Sequence, residues 1–149
     1  MTLWLKSDFF AEKEVVPERF SCEGKDISPP LEWGDVPEGT KSFALLMEDP
    51  DAPAGTWVHW VLYDIPGSTR GLAEGEVKGT EGINSWKRSG YGGPCPPPGH
   101  GVHRYYFTLY ALSEAVTGLP KGADAKQVKS AIKDKIIAKA ELMGTYERK

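Results

Sequence analysis

The side chains best suited to chemistry lie in two short segments, "DPDAPAGTWVHW" (residues 49–60) and "GPCPPPGHGVHRYYFTLYAL" (residues 93–112). The first holds two aspartates and a histidine, and the second holds two more histidines, a cysteine and several tyrosines. Carboxylates and imidazoles can act as acid and base, bind a metal ion, or hold an anion through hydrogen bonds. Which of these roles is open depends on the elements that position the side chains.

The second segment changes character at Val102, where a glycine- and proline-rich loop gives way to "VHRYYFTLYAL", a run typical of a β-strand. Alternation along a strand puts His103 and Tyr105 on one face and Arg104 on the other. An imidazole beside a phenol forms a donor pair suited to an anion, and glycine N–H groups of the loop add further donors. Arg104 is predicted to pair with an acid and close the fold.

The first segment runs into "TWVHWVLYDIP" (residues 56–66), a second strand that is apolar on both faces and is therefore predicted to be covered on both sides. A histidine there needs a partner, and His59 taken alone is best explained as a hydrogen-bonded core residue. Asp49 and Asp51 taken alone fit turn positions, because Asp-Pro and Asp-x-Pro stretches form turns. Alternation places His59 on the same face as Trp57, Val61 and Tyr63.

Three other uses of the second segment stay open. The run "PCPPP" could be a polyproline ligand for a partner domain. Cys95 with the three histidines could bind zinc, although the spacing C-x4-H-x2-H is not a common ligand pattern. Cys95 could also act as a nucleophile, although it lies between Pro94 and Pro96 and no helix N-terminus is evident to lower its pKa. His100 is predicted to be a bystander.

The rest of the chain predicts one mainly β domain over residues 1–149, with a C-terminal helix. Seventeen glycines and twelve prolines indicate many turns, and "SFALLMED" (residues 42–49) predicts a third strong strand. Weaker strands are predicted at residues 9–16 and in "GTEGINSW" (residues 79–86). From Asp124 to Met143 apolar residues recur every three or four positions, which predicts a helix capped by Asp124 with Gln127 and stopped by Gly144. Mostly antiparallel pairing is favoured, because loops rather than helical patterns separate the strong strands.

Charge and composition exclude several classes of protein. The net charge is −3, and no dense basic stripe of the kind that binds nucleic acid is present. Charges at Lys6, Asp8 and Glu12 break the apolar run that a signal peptide needs, and no run is long enough to span a membrane. These features predict a cytoplasmic protein with no integral membrane segment. Two cysteines are too few for a disulfide framework, so free thiols are expected, with a Cys22–Cys95 bridge as the alternative.

Several segments, in this order along the chain, resemble the signatures of the phosphatidylethanolamine-binding protein family, in its prokaryotic branch similar to Raf kinase inhibitor protein. They are "SPPLEW", "DPDAP" followed by "HW", "GINSW" followed by "GYGGPCPPPGHGVHRYYFTLYAL", and "AELMGTY". The resemblance covers nearly the whole chain. It implies a β-sandwich in which a large antiparallel sheet packs on a smaller one, with a C-terminal helix and a small anion pocket at one end.

The resemblance also implies which residues form that pocket. By position, the ligand-binding residues would be Asp49, His59, His103 and Tyr105. The supporting and rim residues would be Asp51, Pro53, Trp57, Gly93, Pro94 and Pro96. Family members often have a cis bond in the first signature, which implies a cis Ala52–Pro53 bond here.

We therefore predict a binding protein with no catalytic residue, cofactor or metal. Its pocket would take a phosphate-like or carboxylate group, such as a phosphomonoester, a phospholipid head group or a phosphorylated side chain. An imidazole beside Asp49 would stay protonated and offer positive charge.

A second hypothesis is an inhibitor of serine proteases or kinases acting through a surface loop, as described for some relatives. A third is a hydrolase using Asp49 and the histidines, for which no convincing nucleophile is present. Relatives that form dimers make a homodimer a further expectation.

Overall fold

The computed structural model describes residues 2–149. Its fold consists of two antiparallel sheets and one α-helix. The smaller sheet has the strand order β1-β2-β5, with bounds Trp4–Lys6, Leu31–Gly34 and Gly71–Leu72 for β1, β2 and β5. The larger sheet has the order β6-β4-β3-β7-β8. Its strands β3, β4, β6, β7 and β8 span Ser42–Asp49, Trp57–Pro66, Thr80–Glu81, His103–Leu112 and Ile136–Tyr146. The helix α1 spans Ala125–Ile132, and the predicted mainly β class with two sheets is confirmed.

The three strands predicted most strongly from the sequence, β3, β4 and β7, form the centre of the larger sheet. Both faces of this centre are covered by apolar side chains. One buried cluster fills the space between the two sheets and includes Trp33, Phe43, Trp60 and Phe107. A second lies under α1 and includes Leu46, Val61, Val128 and Ile132. The prediction that the strand holding His59 is covered on both sides is therefore confirmed.

The predicted C-terminal helix is wrong beyond its second turn. The capping box of Asp124 and Gln127 is present and starts α1, but the helix ends at Ile132. Residues 136–146 instead form β8, which pairs with β7 along its whole length. An apolar spacing of four is also two strand periods, so the pattern fits both structures, and pairing with the ten-residue strand β7 decides between them.

Gly144, predicted to stop that helix, lies within β8 opposite Tyr105. A Cβ atom at this position would lie 2.5 Å from Cγ2 of Val16 and 2.9 Å from Cε2 of Phe10. Glycine is needed here because the segment that precedes the 3₁₀ turn at Glu18–Phe20 packs directly on the β8 backbone. Gly144 therefore allows two segments to pack closely, and it does not mark the end of a helix.

The two weaker strands are largely absent. Residues 9–16 form no strand, although the N–H groups of Lys13 and Val16 donate to the carbonyls of Met143 and Thr145 in β8 at 2.6 and 2.8 Å. The segment "GTEGINSW" contributes only the two residues of β6. Within residues 2–149, no helix combines the length and the apolar character that crossing a membrane requires.

Candidate functional site

A cavity of about 330 Å³ opens at one end of the larger sheet, where β3 ends and β4 and β7 begin. All four residues predicted to bind a ligand line it, namely Asp49, His59, His103 and Tyr105. Of the predicted supporting residues, Pro53, Trp57 and Pro96 also line it. Antiparallel pairing explains the convergence, because it brings the C-terminal end of β3 beside the N-terminal ends of both neighbours.

His59 reaches the cavity through an irregularity in strand pairing. Met47 pairs with Trp60 and Glu48 pairs with Val58, so His59 is an extra residue in β4. A residue inserted in this way interrupts the alternation of side chains. The His59 ring therefore packs edge-on against Tyr105, with ring centroids 5.1 Å apart. The predicted sharing of a face with Val61 and Tyr63 is wrong, because those two side chains belong to the cluster under α1.

Three polar groups form a hydrogen-bonded chain that leads from the protein interior to its surface. Nδ1 of His103 lies 2.7 Å from Oδ2 of Asp49, and both side chains are buried. Nε2 of His103 lies 2.6 Å from Nδ1 of His100, an exposed residue of the rim loop. Asp49 is fixed in turn by the N–H of Asp51, which donates to its Oδ1 at 2.7 Å. His100, predicted as a bystander, is therefore in direct contact with the site.

His59 is held as a neutral imidazole. Its Nδ1 lies 2.8 Å from the carbonyl oxygen of Gly92, which requires a proton on Nδ1 and leaves Nε2 as an acceptor. Burial lowers the pKa of His59 because the charged form loses its hydration, and the Gly92 carbonyl only partly offsets this effect. The imidazole hydrogen-bonded to Asp49 is that of His103. The expected positive charge is therefore not supplied by His59.

Two polar atoms beside the cavity lack partners. Among the buried side-chain N and O atoms of residues 2–149, the Tyr105 hydroxyl and Nε1 of Trp57 make no hydrogen bond. Burial, reinforced by the nearby Asp49 carboxylate, raises the pKa of Tyr105, so its hydroxyl keeps its proton. Buried donors without a partner are unfavourable unless something else accepts from them. A ligand that accepts from them would supply the missing partners.

The rim is fixed by a disulfide between Cys22 and Cys95, whose Cα atoms are 5.4 Å apart. The expectation of free thiols is wrong, and the bond removes Cys95 as a nucleophile and as a zinc ligand. Within residues 2–149, no three His, Cys, Asp or Glu side chains are grouped so that they could hold a metal ion. Pairing of residues 73 positions apart depends on how two loops meet, which cysteine spacing alone does not reveal.

Gly93 and Pro94, predicted as rim residues, do not line the cavity. They tie the rim to the segment before β2: the Gly93 N–H donates to Oδ1 of Asp26 at 2.7 Å, and the Pro94 carbonyl accepts from the Cys22 N–H at 3.1 Å. Their contribution is to hold the loop in place.

Asp51 is turned away from the cavity and pairs with Arg104. The guanidinium donates from Nη2 to Oδ1 at 2.8 Å and from Nε to Oδ2 at 2.9 Å, which confirms that Arg104 pairs with an acid. The same contacts lower the pKa of Asp51 to about 2. The predicted cis Ala52–Pro53 bond is wrong, since no residue among 2–149 follows a cis bond. Pro53 is the second residue of a turn closed by the Gly55 N–H and the Ala52 carbonyl, a position that suits trans proline.

Trp86 is a wall of the cavity to which sequence reasoning assigned no role. Its ring packs edge-on against His59 and against Trp57, with centroids 5.0 and 5.5 Å apart. It belongs to the "GINSW" segment, whose composition gives no sign of contact with a distant strand. Together with prolines of both rims it makes the cavity wall mostly apolar.

The geometry thus defines a two-sheet β protein with a small, mostly apolar cavity at the strand ends. The family model described as phosphatidylethanolamine-binding protein matches residues 6–147. A UPF0098 protein of Aquifex aeolicus is 54% identical over 145 residues, covering 93% of this chain and 85% of that protein. This chain belongs to the phosphatidylethanolamine-binding protein family, which confirms the resemblance noted in the sequence.

Two solved structures share the fold. CT736 of Chlamydia trachomatis has a TM-score of 0.94 at 40% identity, covering 99% of both chains. YbcL of Escherichia coli, described as a member of the mammalian PEBP family, has a TM-score of 0.92 at 31% identity, covering 100% of both chains. The two-sheet fold has therefore been observed by crystallography in two similar proteins.

Proposed function

We propose that this chain is a non-enzymatic binding protein whose cavity takes the phosphate-like or carboxylate end of a small ligand. The observation that supports this most directly is the pair of unpaired donors, the Tyr105 hydroxyl and Nε1 of Trp57. An anionic oxygen accepts from both, and charge-assisted hydrogen bonds are stronger than neutral ones. The apolar walls favour a ligand with an apolar body behind its charged end.

The charges around the cavity make a proton part of the binding step. The Asp49 carboxyl is already hydrogen-bonded to His103 and to the Asp51 N–H, and His59 is neutral with Nε2 as an acceptor. A fully ionised phosphate would therefore meet no free cation. Either the ligand brings its own O–H to donate to Nε2 of His59, or the anion raises the pKa of His59 and a proton is taken up on binding. Affinity for a phosphomonoester is expected to rise as pH falls from about 8 to about 6.

Titration with phosphoethanolamine, phenyl phosphate and inorganic phosphate tests the proposal, with the histidine ring signals followed by NMR. We expect the His59 signals to move at millimolar phosphomonoester. Tyr105→Phe should weaken binding by about tenfold, because a hydrogen bond to a charged group is lost. Tyr110→Phe is the matched control, since Tyr110 lies on the opposite face of β7. Unchanged His59 signals, or equal affinity for the Tyr105→Phe protein, would contradict the proposal. Comparing the three affinities shows which kind of ligand the cavity prefers: phosphoethanolamine represents a phospholipid head group, phenyl phosphate an aryl phosphate, and inorganic phosphate the free anion.

A second candidate function is inhibition of a serine protease, and the disulfide is the observation that favours it. The rim loop leaves Cys95 and exposes Pro97, Pro98, Gly99 and His100, so a covalent brace lies at the base of an exposed loop. Rigid loops lose little entropy when they enter a protease cleft. Inhibition of a panel of serine proteases and kinases is the test. Inhibition that survives Tyr105→Phe but not replacement of Pro97 and Pro98 by serine would support the loop, and no inhibition at micromolar concentration would exclude it.

The expected cytoplasmic location and the homodimer stay proposals. The disulfide counts against a reducing cytosol, where such bonds are rare except in hyperthermophiles. Alkylation of intact cells followed by mass analysis would show whether both cysteines are protected. Sedimentation at several concentrations would show whether the chain dimerises.

A further inference from the structure

His100 has the surroundings of an activated histidine, a feature that the binding function does not use. It is exposed on the rim loop, while His103 and Asp49 lie buried beneath it with 2% and 3% of their surfaces accessible. The contacts run in series, from Nδ1 of His100 to Nε2 of His103 at 2.6 Å and from Nδ1 of His103 to Asp49 at 2.7 Å. Within residues 2–149, Nε2 of His100 makes no hydrogen bond.

The carboxylate determines where the protons lie. An ionised Asp49 can only accept, so Nδ1 of His103 carries a proton. With no second proton on His103, its Nε2 accepts and Nδ1 of His100 donates. The lone pair of His100 is thereby confined to Nε2, on the exposed side chain. A nucleophile, a base and a group that orients the base are the parts from which activated nucleophiles are built.

We propose that His100 is a nucleophile that accepts a phosphoryl group on Nε2 from a donor of the acyl phosphate or phosphoramidate class. The Nε2 lone pair forms the N–P bond, while the bond from phosphorus to the carboxylate oxygen or amine nitrogen breaks and its electron pair leaves with that group. The Nδ1 proton of His100 passes to Nε2 of His103. The imidazolium formed on His103 is neutralised by Asp49. An acyl phosphate releases a carboxylate, and a phosphoramidate, which reacts in the form protonated on nitrogen, releases the neutral amine.

The loop is held so that this arrangement exists before a donor arrives. The Gly99 N–H donates to the Arg148 carbonyl at 2.9 Å, and Nε of Arg148 donates to the Pro96 carbonyl at 2.7 Å. The disulfide at Cys95 fixes the start of the loop. Arg148 also brings a positive charge to the loop, which favours approach of an anionic donor. His103 and Asp49 are positioning residues in this scheme, because neither touches the phosphorus.

Incubation of the oxidised protein with acetyl phosphate, and separately with potassium phosphoramidate, tests the proposal. Phosphohistidine is followed by ³¹P NMR, and its position is mapped on alkaline-handled peptides. We expect His100 to be labelled on Nε2 at least about tenfold faster than the same residue in the protein unfolded in urea. Asp49→Asn should remove most of that advantage, while the exposed control Asp134→Asn should keep it. Labelling of His100 at the unfolded rate, or at an unchanged rate in folded Asp49→Asn, would overturn the proposal.

A measurement on the unmodified protein decides the matter if Asp49→Asn does not fold. ¹⁵N chemical shifts report which imidazole nitrogen carries the proton. We expect the Nδ1–H tautomer for His100, whereas free imidazole side chains favour the other nitrogen. An Nε2–H tautomer on His100 would overturn the proposal, because its nucleophilic lone pair would then point at His103. If His100 is not labelled, the proposal that the cavity binds an anionic ligand still stands, because that proposal rests on Tyr105 and Trp57.

Discussion

Nδ1 of His103 lies 2.7 Å from Oδ2 of Asp49, and the two side chains are almost completely buried. The same carboxylate accepts the N–H of Asp51 and so holds the loop after β3. Replacing Asp49 by alanine leaves both donors without a partner. We expect Asp49→Ala to lower the free energy of unfolding by about 3 kcal/mol. Urea unfolding measures this, with the exposed Asp134→Ala as control. A loss no larger than that of the control would show that the pair is not formed.

The disulfide should account for a large share of stability. It closes a loop of 73 residues, and loop-closure entropy predicts a contribution of about 4 kcal/mol. Reduction with a dithiol should lower the urea midpoint of the wild-type protein accordingly. The double variant Cys22→Ala/Cys95→Ala should unfold at the reduced midpoint with or without reductant. Equal midpoints for oxidised and reduced wild-type protein would rule out a stabilising bond.

Stability should fall as pH is lowered through the ordinary histidine range, because the pKa of His59 is depressed by burial. Below about 6.5 the unfolded chain takes up a proton at this site and the folded chain does not, so protonation favours unfolding. The contribution of His59 is complete above about 6.5 and is lost as pH falls toward its folded pKa. The difference in unfolding free energy between wild type and His59→Gln should therefore shrink or reverse on acidification. A difference independent of pH would mean that His59 is solvated.

Asp51, in its pair with Arg104, should titrate well below the ordinary aspartate range. Hydrogen bonds from the guanidinium lower the pKa of Asp51 to about 2. The pair's contribution to stability is therefore complete above about 3.8 and is lost as pH falls toward about 2. Arg104→Gln should return the pKa of Asp51 to about 4 in a carboxyl ¹³C titration. Arg70→Gln, an arginine that contacts only carbonyl oxygens, is the control and should leave it low.

The central strands could be predicted from composition, whereas the end of the chain could not. β3, β4 and β7 are rich in aromatic and branched residues, and both of their faces are buried, so local preference and tertiary packing agree. For Ile136 and Ala140 the apolar spacing fits a helix and a strand alike. Their conformation is decided by β7, which pairs with β3 on one edge and offers its other edge to β8. That free edge exists only in the assembled sheet.

The candidate site was predictable where it depends on one strand and unpredictable where segments meet. His103 and Tyr105 follow from alternation along β7, and both line the cavity. His59 reaches the cavity because β4 contains an extra residue, and no local sequence pattern predicts that irregularity. The roles of His100 and Trp86 depend on how loops fold back on the strands, and the Cys22–Cys95 bond depends on two such loops.

The way in which residues 12–16 lie along β8 also affects solubility. β8 is the outer strand of the larger sheet, and an open outer strand invites edge-to-edge association with other chains. Here the Glu12 carboxylate accepts the Met143 N–H at 2.8 Å, and the Glu14 carbonyl accepts the Thr145 N–H at 2.9 Å. Further along the strand, Lys139 and Glu141 are exposed. The covering segment and these two charged side chains therefore both oppose edge-to-edge association along this part of β8.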